Sequence, residues 1–308
     1  MNLQWLIPFV ASTAGAATPL IFASLGELVA EKSGVLNLGV EGMMLVGAVA
    51  AFAVTAATGH AGLGLVAAMI AAMGSALIFA FLVLTLQTNQ VATGLALTLF
   101  GVGLSAFAGR GLIGRTVEPL PHLDIPGLSG LPFIGPLLFR FDILVYVALA
   151  AVLGVGWALA RTRLGLLIRA VGESPHSAHA IGFPVIGLRY STVLFGGALA
   201  GLAGAYLCLA LTPMWVEGMT AGRGWIAVAQ VVFATWKPRG ILLGAYLFGG
   251  VTVLQFNGQG MGLTIPAEFL SMLPYLATIV VLVLISRNPR TILLNKPLSL
   301  GQNFRPDA

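Results

Sequence analysis

The sequence predicts an all-α fold, a polytopic transmembrane helical bundle with about eight to ten spans, some of them broken or re-entrant. Three observations carry this. Of 308 residues, 58% are hydrophobic and only 8% are charged, against about 25% charged in ordinary soluble domains. So few charges cannot cover the surface of a water-soluble chain of this length, and the mean hydropathy of +0.99 agrees. The apolar residues also fall in long continuous runs. Outer-membrane barrels instead read as alternating segments of about ten residues, so helices are the spanning structure left.

Apolar runs long enough to span lie at 5–29, 35–57, 61–86, 90–109, 141–160, 191–211, 222–236, 240–257 and 267–286. A full crossing takes about 20 residues. The run at 222–236 is short, and the stretch from Gly34 to Gly47 is interrupted by Gly, Asn and Glu. Both are expected to be half-helices or re-entrant pieces. Met1 to Pro8 lack the basic region of a cleavable signal, so the first run is expected to remain as a span. Forty glycines and sixteen prolines suit membrane helices, which tolerate both better than soluble helices do.

Lysine and arginine set the orientation. Arg161, Arg163, Arg169 and Arg189 flank one loop, Lys237 and Arg239 share a turn, and Arg287, Arg290, Lys296 and Arg305 fill the C-terminal tail. With Lys32 these make eleven of the 15 basic residues, and the positive-inside rule makes their side cytoplasmic. Arg110, Arg115, Arg140 and Arg223 fall on the other side, beside Glu118, Asp124, Asp142, Glu217 and Glu268. This reading divides the chain into a membrane domain at 1–287 and a cytoplasmic tail at 288–308. Residues 161–189 form a cytoplasmic loop and 110–140 an external loop rich in proline, and the N-terminus lies outside. The tail is polar and is expected to be loosely ordered. The net charge of +5 does not point to nucleic acid, because the cations sit in short loops between apolar runs.

Several chemistries are absent. No Gly-rich loop ends in Lys-Ser or Lys-Thr, so the chain is not its own P-loop ATPase. No Gly-x-Ser-x-Gly elbow occurs. His176 and His179 are three apart, but no third ligand lies at metal-site spacing. No cofactor is expected on this chain. Cys208, the single cysteine, lies in an apolar run and reads as a buried small residue.

Polar side chains inside apolar runs are costly and face a cavity or a partner. Asn37 and Glu41 are four apart and would share one face of a helix. They read either as part of a translocation pathway or as a helix cap and a structural hydrogen bond. Gln230, deep in the short run, is a third pathway candidate. Trp215, Trp225 and Trp236 read as interface anchors. Gly197, Gly201 and Gly204 form a ridge for close helix packing, within the chain or at a dimer seam.

The loop at 161–189 carries helix signals. Ser174 can cap a helix with Pro175 at its first position, and Gly182 followed by Pro184 ends it. Ala178, Ala180 and Ile181 would give this short helix a small apolar face for a soluble partner.

At these residues the sequence resembles a known family. Arg169-Ala-Val-Gly-Glu-Ser-Pro175, with Ala178 and Ile181-Gly182, looks like the coupling loop of ABC-importer permeases of the branched-chain amino acid, ribose and nucleoside class. Gly26-Glu27 and Glu31-Lys-Ser-Gly-Val-Leu-Asn-Leu-Gly-Val-Glu-Gly-Met-Met-Leu-Val-Gly-Ala48 resemble the nucleoside branch. So do Thr220-Ala-Gly-Arg-Gly-Trp-Ile-Ala227, Trp236-Lys-Pro-Arg-Gly240 and Leu243-Gly-Ala-Tyr-Leu-Phe-Gly249. Sugar permeases of the class typically show an Ile-Asp-Leu-Ser type motif where this chain has Leu36-Asn37-Leu38-Gly39, a difference that favours nucleosides. The resemblance implies a bacterial inner-membrane importer subunit, paired with a second permease, often as a heterodimer. A separate cytoplasmic ATPase would bind the ATP, and a periplasmic or lipid-anchored binding protein would deliver the solute. Glu173, Ser174, Pro175, Ala178 and Gly182 would then serve ATPase coupling, and Asn37, Glu41 and the segment holding Gln230 would approach the pathway. A permease for simple sugars or branched-chain amino acids is the alternative within the class. Outside it stands an ion-coupled secondary transporter, which would show a buried acid relay, whereas Glu41 reads as nearly alone.

Overall fold

A computed structural model describes residues 3–123, 139–260, 272–286 and 295–305, with positions 135 and 269 besides. Asp124, Glu268, Arg287, Arg290 and much of the proline-rich loop lie outside the described residues. The helices are α1 (Leu3–Lys32), α2 (Val40–Thr58), α3 (Ala61–Ala80), α4 (Gln90–Gly109), α5 (Ile143–Arg161), α6 (Arg163–Glu173), α7 (Pro175–Ala180), α8 (Val185–Tyr206), α9 (Arg223–Phe233), α10 (Pro238–Gly260) and α11 (Leu273–Ser286). A π-helical turn extends α3 through Phe81–Thr85 and another extends α8 through Leu207–Leu211. Among the described residues no strand forms, only two isolated bridges.

Seven of these helices are long and apolar enough to cross a membrane: α1 to α5, α8 and α10. At 11 residues, α9 reaches only about 16 Å of the roughly 30 Å hydrocarbon core. It is the half-helix that the short run predicts. The fourteen residues of α11 follow a stretch outside the description.

The helices α1, α2 and α8 are the most enclosed, and α3, α4, α5 and α10 pack around them with apolar faces outward. In lipid no hydrophobic force drives helices together, so close backbone approach must supply the packing. The ridge on α8 does this within the chain, not at a dimer seam. A Cβ on Gly201 would meet the Ala68 carbonyl of α3 at 2.4 Å, and one on Gly204 would meet the Met44 carbonyl of α2 at 1.9 Å. Cys208, fully buried, points its thiol at the Ala48 carbonyl (3.3 Å).

Two expectations are corrected here. Trp215 and Trp236 are 2% and 4% exposed and so are core residues, not interface anchors; of the three, Trp225 alone is exposed, at 37%. The described part of the tail, 295–305, is not loose. Phe304 is buried against Val171, Ala178 and Val185, and the Asn303 amide donates to the carbonyls of Gln87 (2.6 Å) and Thr88 (3.2 Å). Hydrogen bonds from Lys32 to Asn295, and between Arg305 and Gln87, bring the basic residues to one end of the bundle. α1 runs toward that end and α8 away from it.

Candidate functional site

Two interrupted crossings meet inside the bundle. After α1 the chain does not turn at the surface. Residues 33–39 enter the bundle as irregular backbone, and α2 starts only at Val40. A Cβ on Gly42 would touch Leu97 and Thr98 of α4, about 10 Å along that helix from Gln90. Irregular backbone is tolerated at this depth only where its polar groups are satisfied, and side chains do so. The Leu36 amide donates to Gln90 Oε1 (2.8 Å) and the Asn37 amide to Glu27 Oε1 (2.9 Å). The Gly39 amide donates to Asn37 Oδ1 (2.9 Å), and the Thr98 hydroxyl donates to the Leu38 carbonyl (2.9 Å).

Asn37 therefore lies outside α2, and it does not share a helix face with Glu41. Its side chain folds back on its own turn, as Asn favours before a helix, and its amide also points at Met43 Sδ (3.5 Å). Glu41 sits in the first turn of α2, 7% exposed. Its Oε1 accepts from the Thr220 hydroxyl (2.6 Å) and the Gly222 amide (2.9 Å), and its Oε2 accepts from the Gly224 amide (2.6 Å). Gly222, at φ 81°, precedes α9 and has no side chain to cap it. Glu41 supplies the cap from another helix, placing a carboxylate against donors that α9 leaves unsatisfied. The N-termini of the half-helix α9 and of α2, which at 19 residues is long enough to span rather than the half-helix expected there, thus face one buried anion.

Gln230 is fully buried, and its Nε2 donates to the Ile241 carbonyl of α10 (2.6 Å) while its Oε1 has no partner. In this conformation it pins α9 to α10 and is shielded from solvent within the chain.

Two functional candidates escaped the sequence reading. Glu27 and Glu31, one helical turn apart on α1, are 1% and 0% exposed. Glu31 Oε2 accepts from Trp236 Nε1 (2.5 Å), and its Oε1 is buried without a partner. Glu41 is therefore not nearly alone: Glu27 also holds the crossover, and Glu31 lies buried one turn further along α1. The signal was present, since acids at i and i+4 in an apolar run share a face. It was lost by ending the first span at residue 29.

The coupling candidates gather at the basic end. Ser174 caps α7 through the Ser177 amide (3.3 Å), Pro175 holds its first position, and Gly182 follows it at φ 91°. Ala178 is not an exposed docking residue: it is 3% exposed beneath Phe304, whose ring lies edge-on to His176 (5.1 Å) and His179 (5.6 Å). Ile181, at 71%, is exposed. Glu173 accepts from the Leu298 amide (3.2 Å). Ser299 holds the Gly172 carbonyl through its amide (3.0 Å) and its hydroxyl (2.7 Å). Arg189, 1% exposed, binds the Ser33 carbonyl (3.0 Å), the Gln302 carbonyl (3.2 Å) and Ser299 Oγ (3.1 Å). One guanidinium thereby ties α8, the tail and the start of the 33–39 crossover. No group of three or more metal-ligating side chains occurs among the described residues.

A family model described as the branched-chain amino acid transport system / permease component matches residues 9–284. The chain belongs to this permease family. It is a multi-pass membrane transport subunit of the ABC-importer type, a class whose general architecture combines permease, ATPase and substrate-binding protein. The permease is 44% identical to a putative glucose ABC transporter permease of the archaeon Haloferax volcanii, over 95% of this chain and 96% of that one. It is 34% identical to a nucleoside ABC transporter permease of Lactococcus lactis, over 87% and 89% of the two chains. A guanosine ABC transporter permease of Bacillus subtilis is 32% identical, over 91% and 92%. No solved structure matches the permease. With a sugar permease at 44% and nucleoside permeases at 34% and 32%, the likeness does not favour the nucleoside branch that residues 36–39 suggested. With an archaeon among the relatives, it does not single out a bacterial membrane.

Proposed function

We propose that this permease forms half of the channel of an ATP-driven importer for a glucose-like sugar. The observation that carries the substrate class is the 44% identity, over nearly the whole of both chains, to a putative glucose permease. Nucleoside import is the second reading, supported by the two nucleoside-type relatives and by Leu36-Asn37-Leu38-Gly39. The two solute classes share a polyhydroxylated ring, and a channel that passes solute without holding it tightly suits either.

In this reading the basic end faces the cytoplasm, as the positive-inside rule directs. The α6–α7 elbow receives the ATPase, with Glu173, Ser174, Pro175 and Gly182 shaping the elbow and Ala178 seating it on Phe304. A second, similar permease completes the channel, and a binding protein delivers solute at the opposite end. The Glu41 junction is the gate. Two helix N-termini meeting at a buried anion form a bistable contact that can open when the elbow moves. Arg189 and the tail supply a physical route from elbow to crossover, because Ser299, Gln302 and Ser33 share its guanidinium.

The test is co-expression with the neighbouring transport genes in a host unable to take up glucose or nucleosides. Labelled glucose uptake that requires the ATPase, and is lost in Gly182→Asp at normal membrane levels, supports the proposal. Guanosine uptake alone moves the assignment to the second reading. Uptake that persists without the ATPase and collapses with an ionophore overturns both.

A further inference from the structure

We propose that the groove between α5 and α10 at the basic end is a binding site for an anionic phospholipid. The groove encloses about 490 Å³. Its mouth carries Arg161, Lys237 and Arg239, all exposed, and no carboxylate lines it. Below the mouth its walls are apolar. Trp157 and Leu153 lie one and two turns before Arg161 on the same face of α5, at 65% and 75% exposure.

The cations therefore stand at one end of the groove, and apolar side chains continue for about 12 Å toward the middle of the bundle. That order matches a lipid standing in a membrane leaflet, with its charged headgroup at the cations and its acyl chains along Trp157 and Leu153. Basic pockets between transmembrane helices suit anionic headgroups, and a tryptophan at this level sits where interfacial aromatics gather. Charge also selects against the other obvious occupant. A second copy of this chain packed symmetrically on the groove would set the same three cations against themselves. The site is independent of which solute the permease carries.

The full chain, purified in neutral detergent, is mixed with phosphatidylglycerol or phosphatidylcholine of identical acyl chains, and bound lipid is counted by native mass spectrometry. The expected result is phosphatidylglycerol retained about a hundredfold over phosphatidylcholine, since three cations contribute. Arg161→Gln, Lys237→Gln and Arg239→Gln each lower retention about fivefold, while Arg163→Gln, outside the groove, does not. Gly156→Leu abolishes retention with every cation in place: a Cβ there would make only ordinary contact with Pro238 at 3.8 Å, so the larger side chain fills the groove without striking backbone. Equal retention of the two lipids, or charge variants that bind like the parent chain, overturns the proposal. So does a dimer that Gly156→Leu dissociates, which would identify the occupant as a second copy.

Discussion

Glu41 Oε2 and the amide of Gly224 lie 2.6 Å apart across 183 residues of sequence. The bond joins the first turns of α2, a helix of full spanning length, and α9, a half-helix. Neither terminus has a side-chain cap of its own, since Gly39 and Gly222 precede them. A single carboxylate holds the two together.

Replacing Glu41 by alanine would strip acceptors from Thr220, Gly222 and Gly224 at once. At about 1–3 kcal/mol for each buried donor left unpaired, thermal unfolding in detergent should show Glu41→Ala as severely destabilised. Thr220→Val removes one partner and should cost about 1 kcal/mol. Equal melting temperatures for the two variants would count against the shared cap.

Gly224 separates packing from propensity. Alanine in a helix is favoured over glycine by about 1 kcal/mol. A Cβ on Gly224, however, would lie 2.5 Å from Glu41 Cα, so Gly224→Ala should lower stability and uptake. Gly103 on α4 faces open space, and Gly103→Ala should be neutral or slightly stabilising by the same measurement.

Trp236 and Glu31 should be coupled. Trp236→Phe deprives Glu31 Oε2 of its partner when Oε1 already has none, at a cost of about 1–3 kcal/mol. Glu31→Gln replaces the carboxylate by a neutral amide, which is less costly to leave unpaired, and so weakens the dependence on the indole. A double-mutant cycle on unfolding should give a nonzero interaction energy; additive effects would place the two side chains out of contact.

Arg189→Met should free the tail, because two of its anchoring contacts, to the Gln302 carbonyl and Ser299 Oγ, pass through the guanidinium. Hydrogen exchange at residues 299–304 should rise, while the exposed Arg163→Met leaves it unchanged. An unaltered exchange pattern would mean that Phe304 and Asn303 hold the tail without Arg189.

The sequence by itself determined that the chain is a membrane-spanning bundle, that residues 222–236 are too short to cross and that a capped helix begins at Pro175. Each follows from local quantities: apolar run length, charge placement and the residues at caps. Only the tertiary structure decided that Asn37 stands outside α2, that Glu27 faces the crossover, that Glu31 meets Trp236 and that Gln230 is sealed against α10. It also decided that the tail is seated by Phe304 and Arg189, although its composition reads as solvated. A polar residue in an apolar run reveals that it has a partner, since burying it alone is too costly. Which partner it has depends on helices up to 183 residues away, whose meeting is set by packing that no local pattern encodes.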